Sequence, residues 1–245
     1  TCAKSGCDTL EAPDTSGSAV FKVPESGTWT ITATLDSQTA TQDVSVTIKG
    51  QCATAALSFR VPSAYQEVNY IETDGSAAAY INTGLTCNLL ATYELEYMLK
   101  GSSGVVLGIY GGTTATWITL PLRTSGNDMF YAGGAYVSVT GSTTAKKKAA
   151  INQNGVAIDD GAVTAWSTTP AYSTDAVFFL FAANANGTPL YYDAMRIYAF
   201  KAYYGSTVYA DYVPVRRKSD GALGFWDVVS ETFKQNNGAG SFTYG

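Results

Sequence analysis

Apolar and polar residues alternate along most of this chain, and nearly every alternating run stops at a cluster of Gly, Asn, Asp, Ser or Pro. Residues 19–23 alternate and end at Pro24. Glu25-Ser26-Gly27 then turns the chain into 28–35, where Trp29, Ile31, Ala33 and Leu35 share a face. Asp36-Ser37-Gln38 turns it again into a run whose Val44, Val46 and Ile48 also share a face. A period of two belongs to a strand with one buried side. The same pattern predicts strands at 93–99, 105–110, 116–120, 129–131, 136–139, 149–152, 156–158, 177–182 and 191–203. Near the end, 212–215 and 223–229 flank Lys218-Ser219-Asp220-Gly221, and Asn236-Asn237-Gly238 precedes 241–244. Asp-Gly and Asn-Gly suit tight hairpins because both residues accept positive φ. No segment longer than two turns has helical period. The expected fold class is all-β.

Two units are expected. Residues 1–51 hold four or five strands, 52–61 form a linker with a hinge near 50–59, and 62–245 carry enough strands for a two-sheet sandwich. Strand 68–72 is expected beside a C-terminal strand within 223–243, since a sandwich of this size must cover its edges. The chain begins at Thr1 without Met or a signal-like apolar region, so a processed chain, or a piece of a longer one, is expected.

Composition narrows the function. Charged residues make up 14% and hydrophobic residues 46%, with 24 Gly and 17 Tyr, a balance that favours strands and turns. The net charge of −5 argues against a nucleic-acid partner. The basic clusters, Lys146-Lys147-Lys148 and Arg216-Arg217-Lys218, sit beside turn signals and read as solvated strand ends. No run approaches the ~18–20 apolar residues of a membrane helix, so no membrane insertion is expected. The cysteines are Cys2, Cys7, Cys52 and Cys87; with no CxxC pair and no His, a structural zinc site is not expected. Cys2 and Cys7 flank Ala-Lys-Ser-Gly and either face each other across a hairpin or stay as thiols.

The C-terminal block has a specific order: Arg196-Ile197-Tyr198-Ala199-Phe200-Lys201, Asp211-Tyr212-Val213-Pro214, Lys218-Ser219-Asp220-Gly221, Gly224 with Asp227, and 237–242. It resembles the closing segment of concanavalin A-like (laminin G-like) jelly-roll domains in virion proteins of bacteriophages and prophages. The entry of that family is matched by Tyr65, Glu67, Tyr70, Ile71, Glu72, Gly75, Tyr80, Ile81, Asn82, Thr83 and Gly84. The resemblance therefore pins both ends of 62–245. Residues 1–51 resemble the small immunoglobulin-like or prealbumin-like modules that decorate phage tail and head proteins. On that resemblance, the module's first strands are expected upstream of Thr1.

Few residues offer chemistry. Glu94-Leu95-Glu96 puts two carboxylates on one strand face, as glycoside hydrolysis needs. Catalytic concanavalin-like hydrolases of the laminarinase type carry a third acid, and Met98 follows here, so an amphipathic strand is the expected reading. Without His, a Ser or Cys nucleophile lacks its usual base; a Ser–Lys arrangement stays open but no motif marks one. Gly108-Ile109-Tyr110-Gly111-Gly112 lacks a following Gly-Lys and reads as strand-to-turn. Asp159-Asp160-Gly161 and Asn184-Ala185-Asn186-Gly187 read as hairpin turns. A rim Ca²⁺ of the kind laminin G-like relatives often bind is their alternative use; otherwise no cofactor is expected.

Sugar recognition uses aromatic faces beside amides and backbone groups. The candidate ligand-binding residues are Tyr110, Trp117, Tyr131, Asn152 and Trp166, with sheet packing as the alternative for each. The resemblance implies a non-enzymatic virion structural or decoration protein on head or tail, with a lectin-like domain that adheres to a host-surface glycan. Its expected partners are other virion proteins, with the chain a homo-oligomer or part of a larger assembly. A bacterial cell-surface or secreted carbohydrate-binding adhesin, and a glycoside hydrolase, are the alternatives.

Overall fold

Antiparallel pairing organises both units of the chain, Thr1–Ala64 and Tyr65–Gly245. The structure, a computed structural model, describes residues 60–88, 90–112, 117–124, 126–141, 144–170 and 175–245 in full, and the backbone of five strands within 8–58. All regular elements among the described residues are strands. In the first unit, β1 (Asp8–Thr9), β2 (Ser18–Lys22) and β5 (Thr54–Ser58) form one sheet. β3 (Gly27–Leu35) and β4 (Gln38–Val46) form a hairpin in register from Gly27↔Val46 to Leu35↔Gln38. Residues 54–58, inside the expected linker 52–61, pair with β2 from Ser18↔Ser58 to Lys22↔Thr54. Cys2, Cys7 and Cys52 lie outside the described residues.

The second unit begins with β6 (Tyr65–Glu67), β7 (Ile71–Asp74), β8 (Ile81–Thr86) and β9 (Thr92–Leu99). A meander follows: β10 (Leu107–Tyr110), β11 (Trp117–Thr124), β12 (Asn127–Ala132) and β13 (Ala135–Thr140). The chain then makes β14 (Lys147–Asn152), β15 (Gly155–Ile158), β16 (Thr164–Ala165), β17 (Val177–Leu180), β18 (Ala183–Ala185) and β19 (Thr188–Leu190). It closes with β20 (Ala194–Tyr204), β21 (Thr207–Arg217), β22 (Leu223–Asp227), β23 (Thr232–Gln235) and β24 (Thr243–Tyr244). Sheet I has the order β16-β15-β14-β9-β20-β21-β22-β23, with β6, β7 and β24 attached. Sheet II has the order β13-β12-β11-β10-β17-β8, with β18 and β19 attached. Every ladder is antiparallel except a two-residue parallel contact of β10 with β18.

The sheets face each other across one core. Sheet I contributes Tyr93, Leu95, Tyr97, Ile197, Phe200, Tyr212 and Phe225; sheet II contributes Ile81, Leu107, Ile109, Ile118, Phe130 and Phe178, all buried. Burying one such side chain stabilises the fold by roughly 1.5–3 kcal/mol. This is a β-sandwich, with the strict alternation of β9 (Tyr93, Leu95, Tyr97 and Leu99 inward) as its clearest signature.

The ends of the second unit meet. β20 carries β7 on its first half (Arg196↔Glu72) and β21 on its second (Phe200↔Tyr212), while β6 pairs with the far end of β21. The entry segment thus fills the fork where the β20–β21 hairpin splays. On its other side β7 takes β24, with Glu72↔Thr243 and Ile71↔Tyr244. The expected closure of strand 68–72 is made, by the last strand rather than the 223–229 run.

A buried ionic cluster joins the sheets at one end. Asp128 of sheet II accepts from Arg123 Nε and Nη2 at 2.9 and 2.6 Å, from Lys147 Nζ at 2.8 Å and from the Tyr97 hydroxyl at 3.1 Å. Lys147 and Tyr97 come from sheet I. The expected solvated lysine run is therefore corrected at its middle residue: β14 alternates Lys147, Ala149 and Ile151 inward, and Lys147 is 8% exposed.

Candidate functional site

The outer face of sheet II carries a row of aromatic rings. Strand alternation sends Ile109, Ile118, Phe130 and Val137 into the core and Tyr110, Trp117, Tyr131 and Tyr136 outward. Register aligns them, since Tyr110 pairs with Trp117 and Tyr131 with Tyr136. Ring centroids lie 6.3 Å apart for Tyr136–Tyr131, 5.8 Å for Tyr131–Trp117 and 5.1 Å for Trp117–Tyr110. Tyr191, beyond β19, closes the row at 5.5 Å from Tyr110 and 5.7 Å from Trp117. Tyr191 has φ +56°, a conformation unusual for a residue with Cβ. Burial raises its phenol pKa, helped by the neighbouring Tyr110 hydroxyl.

Tyr110, Trp117 and Tyr131 rest on a small second core of Val105, Leu122 and Ala183. They are partly exposed, Tyr136 at 48% and Tyr191 at 38%. Two polar atoms of the same face, Trp117 Nε1 and Thr119 Oγ1, are shielded from solvent with no hydrogen-bond partner among the described residues. Leaving such a group unmatched costs about 1–3 kcal/mol. The face thus presents half-open rings above a buried layer that holds these two polar atoms.

Three of the five sequence-derived candidates, Tyr110, Trp117 and Tyr131, come together in this row. Asn152 and Trp166 lie elsewhere. Trp166 is packed into the main core at 8% exposure, and its Nε1 donates to the Asn152 carbonyl at 2.9 Å. Asn152 Oδ1 accepts from Asn154 N at 2.9 Å and shapes the β14–β15 turn. Both residues thus have structural partners at the rim. There Trp166 joins Asn88, Gln153, Asn154 and Thr168 around a cleft of about 830 Å³. Sequence reasoning missed Tyr136 and Tyr191. Tyr136 was readable from the alternation around Ala135 and Val137; Tyr191 follows a turn and carries no periodic signal.

The carboxylates of β9 face solvent on sheet I. Glu94 Oε1 accepts from the Tyr203 hydroxyl at 2.9 Å, and Glu96 Oε2 pairs with Lys146 Nζ at 2.5 Å. The two oxygen-rich turns also use their side chains internally. Asp159 Oδ1 accepts from Lys148 N at 2.8 Å, Asp160 pairs with Lys148 Nζ at 2.8 Å, and Asn184 Oδ1 accepts from Gly187 N at 2.6 Å.

Side chains tie the two end segments of the second unit together. Asn236 Oδ1 accepts from Tyr80 N and Gly238 N at 3.2 and 2.9 Å, its Nδ2 donates to Gly240 O at 2.6 Å, and Asn237 Oδ1 accepts from Asn82 N at 2.9 Å. Gly238 and Gly240 run so close to the entry segment that a Cβ on either would overlap the carbonyl of Ala78 or Ala77. Glu72 takes Arg196 and Lys100, and Arg196 lies 4.3 Å above the Tyr70 ring. No protein-family model and no curated protein matches the chain.

Proposed function

We propose that this chain is a non-enzymatic structural or decoration protein of a bacteriophage virion, and that its second unit is a concanavalin A-like jelly roll that adheres to a host-surface glycan. In this reading residues 1–51 are an immunoglobulin-like module. The chain sits on the surface of head or tail among other virion proteins, as a homo-oligomer or part of a larger assembly. The observation that carries adhesion is the row Tyr136, Tyr131, Trp117, Tyr110 and Tyr191 on the outer face of sheet II. Aromatic faces stack on the C–H faces of sugar rings, and nearby polar groups take the hydroxyls. The virion assignment is supported by the ordered motifs at both ends of the second unit, which meet in the closed fold.

The carboxylates argue for binding without cleavage. Hydrolysis needs two carboxyl groups set across a sugar bond, whereas Glu94 and Glu96 lie side by side on one strand face, each paired with a separate neighbour.

The test is adsorption of the labelled full chain to host bacteria, with and without periodate oxidation of surface sugars, beside gold-labelled antibody on phage particles. Binding lost after periodate, with particles labelled, is the expected result. Binding that survives periodate but not protease would replace the glycan with a protein receptor. Unlabelled particles would remove the virion assignment. Glu96→Gln is expected to leave adsorption unchanged; release of reducing sugar that this variant abolishes would overturn the non-enzymatic reading.

A further inference from the structure

Ionised side chains are distributed unequally between the two sheets. The strands of sheet II carry only Arg123 and Asp128, and both point into the core and pair with each other. What β12 and β13 place beside the rings on the outer face is neutral: Asn127, Ser138 and Thr140. The ionised residue nearest in sequence to Tyr191, Asp193, is engaged by Ser103 N and Ala194 N at 2.9 and 2.7 Å. Sheet I is the opposite case, with Glu72, Glu94, Glu96, Lys148, Arg196 and Lys201 on its outer side.

We infer that the aromatic row takes an uncharged sugar chain laid across the strands and rejects acidic polysaccharides; this rests on the adhesive reading above. A carboxylate, phosphate or sulfate seated on the row would lose its water and meet no cation on the described strands of sheet II, an unfavourable combination. A neutral chain loses only hydroxyl hydration, and hydroxyls match the amides and hydroxyls around the rings. Geometry sets the length: strands lie about 4.8 Å apart, so rings on β13, β12, β11 and β10 span about 14 Å, room for about three sugar rings.

The experiment is binding of the purified full chain to neutral probes (dextran, pullulan, galactomannan) and to anionic ones (alginate, hyaluronate, a polyribitol phosphate). Calorimetry and tryptophan fluorescence are read at about 0.05 and 0.5 M NaCl, where screening differs several-fold. The expected result is binding to at least one neutral probe, changing less than about twofold with salt and at least about tenfold weaker in Trp117→Ala. Tyr136→Ser, at an exposed ring, serves where Trp117→Ala fails to fold, and is expected to weaken binding without moving the melting temperature. Binding confined to anionic probes, with steep loss in salt, would overturn the inference and leave glycan adhesion standing. No binding to any probe, with Trp117→Ala altering self-association in sedimentation, would overturn both and make the row a contact between copies of the chain.

Discussion

Asp128 is fully buried beside two cations and a phenol. Removing it would leave Arg123 and Lys147 inside the sandwich without their shared carboxylate. Breaking a buried pair from one side costs about 3–5 kcal/mol, a large part of a domain's stability. Asp128→Ala is therefore expected to lower the urea midpoint severely. Lys147→Met keeps the stem's volume and leaves a balanced Arg123–Asp128 pair, so it should cost far less. Equal losses in both variants would show that the cluster acts by packing rather than by charge. Surface carboxylates tell a different story. Burial alone would raise the pKa of Glu72, but Lys100 and Arg196 outweigh it and hold it below its ordinary 4.5. A folded-state value below the unfolded one stabilises at pH above the unfolded value, and that contribution disappears as pH falls through the depressed one. Asp220 follows the same sign, held at about 2 by Arg217 and the Ala222 amide. Melting temperature should thus be flat from pH 7 to about 5 with respect to these groups and decline below about 4.5. Glu72→Gln should flatten part of that decline. At Cys87, burial pushes the thiol up to about 12, so it should resist alkylation at pH 8 in peptide mapping.

At the scale of elements, the strap formed by 236–240 decides how the entry segment is held. Asn236 and Asn237 replace missing strand partners for Tyr80 and Asn82, and Gly238 permits the close approach. Gly238→Ala must push the strap off the Ala78 carbonyl, and Asn236→Ala removes bonds from three backbone groups. Each is expected to destabilise by about 2 kcal/mol or more and to speed amide exchange at residues 80–82. Unchanged exchange there would mean that the strap only lies over the segment. Most of these elements were legible: alternation placed the cores of β9, β12, β13, β14 and β20 because each buries one face only. The exceptions have physical causes. β11 shifts register between Thr119 and Leu122 around Pro121, so Arg123, outward by simple counting from Trp117, points inward to Asp128. Lys147 lay on the inward parity of Ala149 and Ile151, but its charge hid a partner that arrives from the other sheet. In the aromatic row, outward parity was readable at Tyr110, Trp117, Tyr131 and Tyr136, whereas cross-strand register, which makes them one row, is a tertiary fact. Trp166 packs into the core while lining the rim cleft, and sequence does not distinguish a buried indole from an exposed one.

For the whole second unit, the decisive element is its last stretch, because the two ends of the unit close the sandwich on each other. Deleting 224–245 removes β22, β23 and β24. That strips the partner from one side of β21 and from one side of β7, leaving rows of unpaired backbone groups in sheet I. It also removes Phe225, fully buried against Phe181 and Tyr212, and Phe242, whose ring lies 4.8 Å from that of Phe181. Losing one buried Phe typically costs about 3–5 kcal/mol, against a total of about 5–15 kcal/mol for a domain. The strap on 77–82 goes as well, freeing the start of β8. Local repacking cannot offset these losses, because the vacated space is a strand wide and lined by core residues. The truncated chain is therefore expected to be insoluble, or molten with strong dye binding and no near-ultraviolet circular dichroism. Gel filtration, dye fluorescence and calorimetry distinguish the outcomes. A soluble truncation that melts cooperatively would make β22–β24 an appendage. It would also remove the structural reason for the motifs at the two ends of the unit to occur together.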